Sequence, residues 1–230
     1  MASIVRVDNM HPAVISVSGR TADQASPGPF TRLGVGVTIV IVVSVIAAQF
    51  VNYGFLGERV RTLDPGTDRG VFGFVDDVAL AAAAAAAWAL AARVRPVRPV
   101  AVVLAVLLTF LTVDDVVRLH DHIPHWLAFY LPVLAAVFVC LAVLARADPG
   151  AGRAVADPVI GAGLLLLLCS FLLHVFGRRL LLDLGFSDSA GLAYQVKAAV
   201  KHGTEVAGWF LIALGLLRLR SGPGRRREVR

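Results

Sequence analysis

Charge is the first thing this chain is short of. Asp, Glu, Lys and Arg make up 17% of its 230 residues, while 57% are hydrophobic. Soluble domains of this size run nearer to about 45–50% apolar, so the composition excludes a water-soluble globule and points to an integral membrane protein. Cysteine is almost missing. Cys140 and Cys169 both sit inside apolar runs, have no metal or redox spacing, and read as small core residues. A signal peptide is absent too: residues 1–32 are polar and of mixed charge, and Ser26-Pro-Gly-Pro29 breaks any helix ahead of the first apolar run. That stretch is expected to be a flexible cytoplasmic tail. No internal repeat supports an inverted-repeat transporter. No nucleic-acid motif accompanies the net charge of +6, so nucleic acid is not an expected partner.

What the chain does have is long apolar runs. Six are long enough to span: 33–55, 71–92, 99–119, 126–145, 158–176 and 194–217. About 20 residues cross the ~30 Å hydrocarbon core, and such segments must be helical because lipid satisfies no backbone N–H or C=O. The expected fold is therefore all-α, a polytopic transmembrane bundle of six spans over 33–217. Proline marks several boundaries (Pro65, Pro96, Pro99, Pro124, Pro158), and Pro132 falls inside the fourth span, where a kink is expected. With the N-terminus cytoplasmic, the inner segments hold Arg6, Arg20, Arg32, Arg93, Arg95, Arg98, Arg146, Arg153 and the arginines from Arg218 onward. The outer loops hold only Arg59, Arg61, Arg69, Arg118, Arg178 and Arg179. This bias predicts both termini inside, in the plasma membrane, with the basic tail 218–230 against anionic lipid.

Aromatic residues at the opposite ends, among them Tyr53, Phe72, Phe74, Trp126, Tyr130 and Phe176, suggest an outer interfacial belt. Ala81–Ala87 is unbroken alanine, and such small side chains let helices approach closely, so the second helix is expected to be central. Gly208 and Gly215 suggest a similar stripe on the sixth.

The ionisable residues gather at one level. Between Asp114 and His125 the chain holds three carboxylates, one arginine and three histidines. Asp76 and Asp77 lie near the outer end of the second helix, His174 near that of the fifth, and Lys197, Lys201, His202 and Glu205 in the outer half of the sixth. Charges at this depth must point inward or reach the interface. Asp114, Arg118 and Asp121 are spaced to share one helical face, with Arg118 bridging both carboxylates. Lys201 and Glu205 are spaced to pair. His202 and Glu205, three apart, bring imidazole and carboxylate to one point, the Glu-x-x-His geometry of bundle metal sites in reverse. His120, His122 and His125 add nitrogen ligands in a short loop, and histidine with carboxylate suits zinc or iron. The competing account is structural: an ion-pair cap at Asp114–Arg118–Asp121, a solvated histidine loop, and a helix-stabilising Lys201–Glu205 pair.

The segment Leu111-Thr-Val-Asp-Asp-Val-Val-Arg-Leu-His-Asp121 resembles a motif of uncharacterised bacterial polytopic membrane proteins, Asp-Glu followed by His-Glu in the third helix. In them a late helix carries acidic residues three or four apart and then glycine. Asp114, Asp115, His120 and Asp121 match the first motif with Asp for Glu at two positions; Glu205 and Gly208 match the second. Lys201 and His202 stand where a glutamate is expected. The resemblance implies a helical membrane fold and no particular reaction. The chain also resembles alkaline-ceramidase-like hydrolases in its helical bundle with His and Asp near one face, but lacks their His-x-x-x-His pair. His174 and His202 are the facing histidines a haem would need; a second pair near the cytoplasmic side is missing.

The expected function is thus a membrane protein with an outward-facing His/carboxylate cluster that binds a metal and acts on a lipid-like substrate. The metal ligands are drawn from His120, His122, His174, His202 and Glu205, and Asp114, Asp115 and Asp121 serve as base or orienting groups. The alternatives are a non-catalytic assembly protein and a proton-coupled transporter.

Overall fold

The computed structural model describes residues 29–64, 70–146, 157–186 and 191–220, with His120, Asp121 and Arg220 described for their backbone alone. Among these residues the chain forms six α-helices: α1 (Pro29–Gly54), α2 (Val71–Arg93), α3 (Arg98–Val117), α4 (Trp126–Arg146), α5 (Pro158–Asp183) and α6 (Gly191–Arg220). Short 3-10 turns occupy Arg61–Leu63, Arg95–Val97 and Leu119–His122. The fold is all-α and multi-spanning. Five of the helices are long and apolar enough to cross a membrane. The sixth, α6, is the most polar, and its surroundings explain why it is tolerated.

Local chemistry sets the helix ends. Proline begins α1 and α5 and follows Arg98 at the start of α3, where its missing N–H costs nothing. Asp157 caps α5 by accepting from the backbone N–H groups of Val159 at 2.8 Å and Ile160 at 3.3 Å. Arg218 Nη1 stands 3.8 Å from the same carboxylate and ties the end of α6 to the start of α5. At the other end of the bundle α3 stops at Val117, because Arg118 is left-handed, with φ 60° and ψ 45°. The shared helical face expected for Asp114, Arg118 and Asp121 therefore does not form: the chain leaves the helix at Arg118 and enters a 3-10 turn. Most of the tails expected at 1–32 and 218–230 lie outside the described residues.

The packing makes α6 the hub. It lies against α1, α2 and α5, while α2 also packs on α3, α3 on α4, and α4 on α5. Helices α2 to α6 thus close a ring, and α1 stands outside it against α6. Small residues permit the tightest crossings. A Cβ on Gly163 would come within 2.9 Å of the Gly208 carbonyl oxygen, and one on Gly208 within 2.8 Å of Leu167. On α2 the alanine run supplies Ala83, Ala86 and Ala87 to the core, beside Leu104 and Leu108 of α3. The seam between α4 and α5 is the most thinly packed in the ring. The aromatic belt is only partial: Phe55, Phe74 and Phe176 are exposed, whereas Phe72 and Tyr130 are buried in the protein.

Candidate metal centre

The ring encloses a cavity of about 700 Å³ towards the end where α2 and α6 begin, within the ~300–1,000 Å³ of typical ligand sites. All five ring helices line it. Asp76, Asp77, Asp115, Arg118, His174, Lys201, His202 and Glu205 give it a charged side, and Leu131, Leu134, Phe138, Leu168 and Phe171 an apolar one. The residues from Glu205 to Arg218 make a helical path of ~20 Å, so the charged side lies far from the end of the bundle where Arg218 meets Asp157.

Three of these lining residues meet. Asp76 of α2 and His202 and Glu205 of α6 each offer a ligand atom, all within 4.8 Å of one another. His202 Nδ1 is 3.2 Å from Asp76 Oδ2 and 4.0 Å from Glu205 Oε2. The Ser170 hydroxyl donates to Glu205 Oε2 at 3.2 Å, and Lys201 Nζ lies 3.7 Å from the same oxygen. The His202 ring rests against Phe72 at 5.4 Å. One atom stands apart: Asp76 Oδ1 is buried with no hydrogen-bond partner among the described residues. A buried carboxylate oxygen without a donor is expensive, and a cation satisfies it. The charge balance points the same way. Asp76, Asp77, Asp115 and Glu205 line the cavity against Arg118 and Lys201, an excess of two formal negative charges with the imidazoles neutral.

The residues singled out in the sequence divide into groups. His202 and Glu205 converge as their spacing predicts, and Lys201 pairs with Glu205. His174 lines the same cavity, its ring 5.5 Å from that of Trp126. Asp115 lines it as well, whereas Asp114 is buried against Tyr130. His122 is exposed, its Nδ1 3.1 Å from the Arg118 carbonyl oxygen, and His125 is exposed at φ 54°; neither lines the cavity. The side chains of His120 and Asp121 lie outside the described residues. Asp76 was not among the ligands expected from sequence, although an aspartate in an alanine-rich helix was a signal. Its partner is 126 residues away, and no spacing rule reaches that far.

A family model described as Domain of unknown function (DUF8692) matches residues 32–219. The chain belongs to this family. No curated protein and no solved structure matches it. The DUF8692 match covers Asp76, His202 and Glu205, so the cluster lies within the family's domain. The coarse content of the bacterial-protein resemblance also holds: a polytopic helical membrane protein with a buried His/Asp/Glu cluster.

Proposed function

We propose that this DUF8692 protein is a metal-dependent membrane enzyme whose site lies in the ring cavity and whose substrate is lipid-like. The observation that carries the reading is the convergence of Asp76, His202 and Glu205 from two helices, with Asp76 Oδ1 buried and lacking a donor. Two carboxylates and an imidazole suit zinc or iron. A divalent ion bound there would supply Lewis acidity. The protein's own groups do the rest. Ser170 holds Glu205, Phe72 supports the His202 ring, and His174 and Asp115, which line the same cavity, are the candidate proton carriers. The charged and apolar sides of the cavity match an amphiphilic occupant. The arginine distribution supports an outward-facing site with both termini cytoplasmic in the plasma membrane, and a basic C-terminal tail at anionic lipid.

Elemental analysis of the purified protein, after dialysis against zinc or ferrous iron and then buffer, tests the reading. Near-stoichiometric metal is expected, falling sharply in His202→Ala and Glu205→Gln. A parent protein that retains no metal overturns it.

A second reading is favoured by the linked pairs Asp76–His202 and Lys201–Glu205, whose residue types also build proton relays. Proteoliposome flux that follows pH and is lost in Lys201→Met would favour a carrier.

A further inference from the structure

Resting on the amphiphilic-substrate reading above, we propose that the cavity is loaded sideways from the bilayer. The occupant is a membrane lipid whose acyl chain passes between α4 and α5 while its polar head reaches the charged side.

The two seams of α4 differ. On one side it presents Tyr130, which stacks on Phe110 of α3, and Val137, Leu141 and Leu144, all buried in the core. On its other side Leu131, Leu134 and Phe138 line the cavity together with Leu168 and Phe171 of α5, at the most thinly packed seam of the ring. Pro132 lies in this stretch of α4 and removes one backbone hydrogen bond from it. Leu168 connects inside to outside. It lines the cavity and also an apolar groove on α5, together with Leu172 and Phe176. Leu168 is 43% exposed, and the groove it shares is lined by α5 alone. An apolar route therefore runs from the bilayer side of α5, past Leu168, to the cavity.

The energetics favour a chain that starts in lipid. An acyl chain moving from hydrocarbon into an apolar seam exposes no new surface to water, so the move carries no hydrophobic penalty. The head faces the opposite environment. Lys201, His202 and Glu205 lie in the same cavity as the apolar wall, so head and tail are each matched without leaving the bundle.

Tryptophan fluorescence tests the route. The chain has three tryptophans. Trp209 is 7% exposed and lines the cavity, while Trp88 is 45% exposed on α2. A Trp88→Phe/Trp126→Phe protein keeps Trp209 as its sole reporter; Trp126→Phe/Trp209→Phe keeps Trp88 as the control for insertion. Both are reconstituted in vesicles of phosphatidylcholine brominated along the acyl chains. Quenching of both is expected, with loss of Trp209 quenching when Ala135→Phe fills the α4 side of the seam. Quenched Trp88 beside unquenched Trp209 overturns the proposal, and this comparison does not depend on whether the Ala135 variant folds. Trp209 quenching unchanged in a folded Ala135→Phe protein overturns the α4–α5 route. Metal analysis of the same samples separates the two ideas: quenching without metal defeats only the metal reading, and metal without quenching defeats only lateral entry.

Discussion

The imidazole of His202 lies 3.2 Å from Asp76 Oδ2, through its Nδ1, and this contact joins the most polar helix to the alanine-rich one. It brings a ring nitrogen to a carboxylate whose other oxygen has no hydrogen-bond partner among the described residues. Glu205 completes the group, and Lys201 competes for Glu205.

That competition is measurable. Lys201 Nζ is 3.7 Å from Glu205 Oε2 in a partly exposed pair. Two unit charges near 4 Å interact by up to ~4 kcal/mol at an effective dielectric of ~20, and solvent exposure reduces this. Lys201→Met is expected to tighten divalent-metal binding by about tenfold, an amount worth ~1.4 kcal/mol. Titration of the metal-stripped protein by calorimetry checks it; weaker binding would mean that Lys201 orders the site rather than opposing the ion.

The α5–α6 crossing should not tolerate a larger residue. A Cβ on Gly163 meets the Gly208 backbone oxygen at 2.9 Å, and backbone cannot swing aside. Gly163→Ala is expected to cost ~1–3 kcal/mol through overpacking. Gly36→Ala, with nothing within 4 Å, should instead be neutral or stabilising by up to ~1 kcal/mol. Thermal unfolding of both in detergent gives the comparison, and equal midpoints would contradict the packing argument.

Helix α1 is attached to the ring through polar contacts as well as apolar ones. Gln49 Nε2 donates to Gln195 Oε1 at 2.7 Å and to the Gln195 carbonyl oxygen at 2.9 Å, and Gln195 Nε2 donates to Glu58 at 3.0 Å. Hydrogen bonds between membrane helices average ~0.6 kcal/mol and reach ~1.7. Gln49→Leu should therefore lower stability by about 1 kcal/mol and increase proteolysis near α1, as read by unfolding in detergent and limited digestion.

The other end of the bundle depends on one cap. Asp157→Ala removes the acceptor for two N–H groups of α5 and the partner of Arg218. A loss of ~0.5–2 kcal/mol is expected. Because the cap is far from the cavity, metal content should stay unchanged, and a parallel loss of metal would reveal coupling between the two ends.

Much of the architecture was legible in the chain. Long apolar runs with few charges have one stable solution in lipid, a backbone whose hydrogen bonds close within each segment. The helices and the membrane class follow from that, and prolines mark several of the starts. Local spacing also carried part of the site: His202 and Glu205 share a face because the helix repeats every ~3.6 residues, and Lys201 reaches Glu205 for the same reason. Two things needed the tertiary structure. The helical face drawn through Asp114, Arg118 and Asp121 broke at Arg118, whose left-handed backbone is a local choice that periodicity cannot reveal. Asp76 became the third member of the cluster only when α2 packed on α6. That pairing depends on the small side chains of α2 and on how the ring closes, because helix contacts in a membrane are selected by shape across long sequence separations. Composition alone required the charged residues to find shelter in the bundle, and the packing of the ring decided which of them would meet.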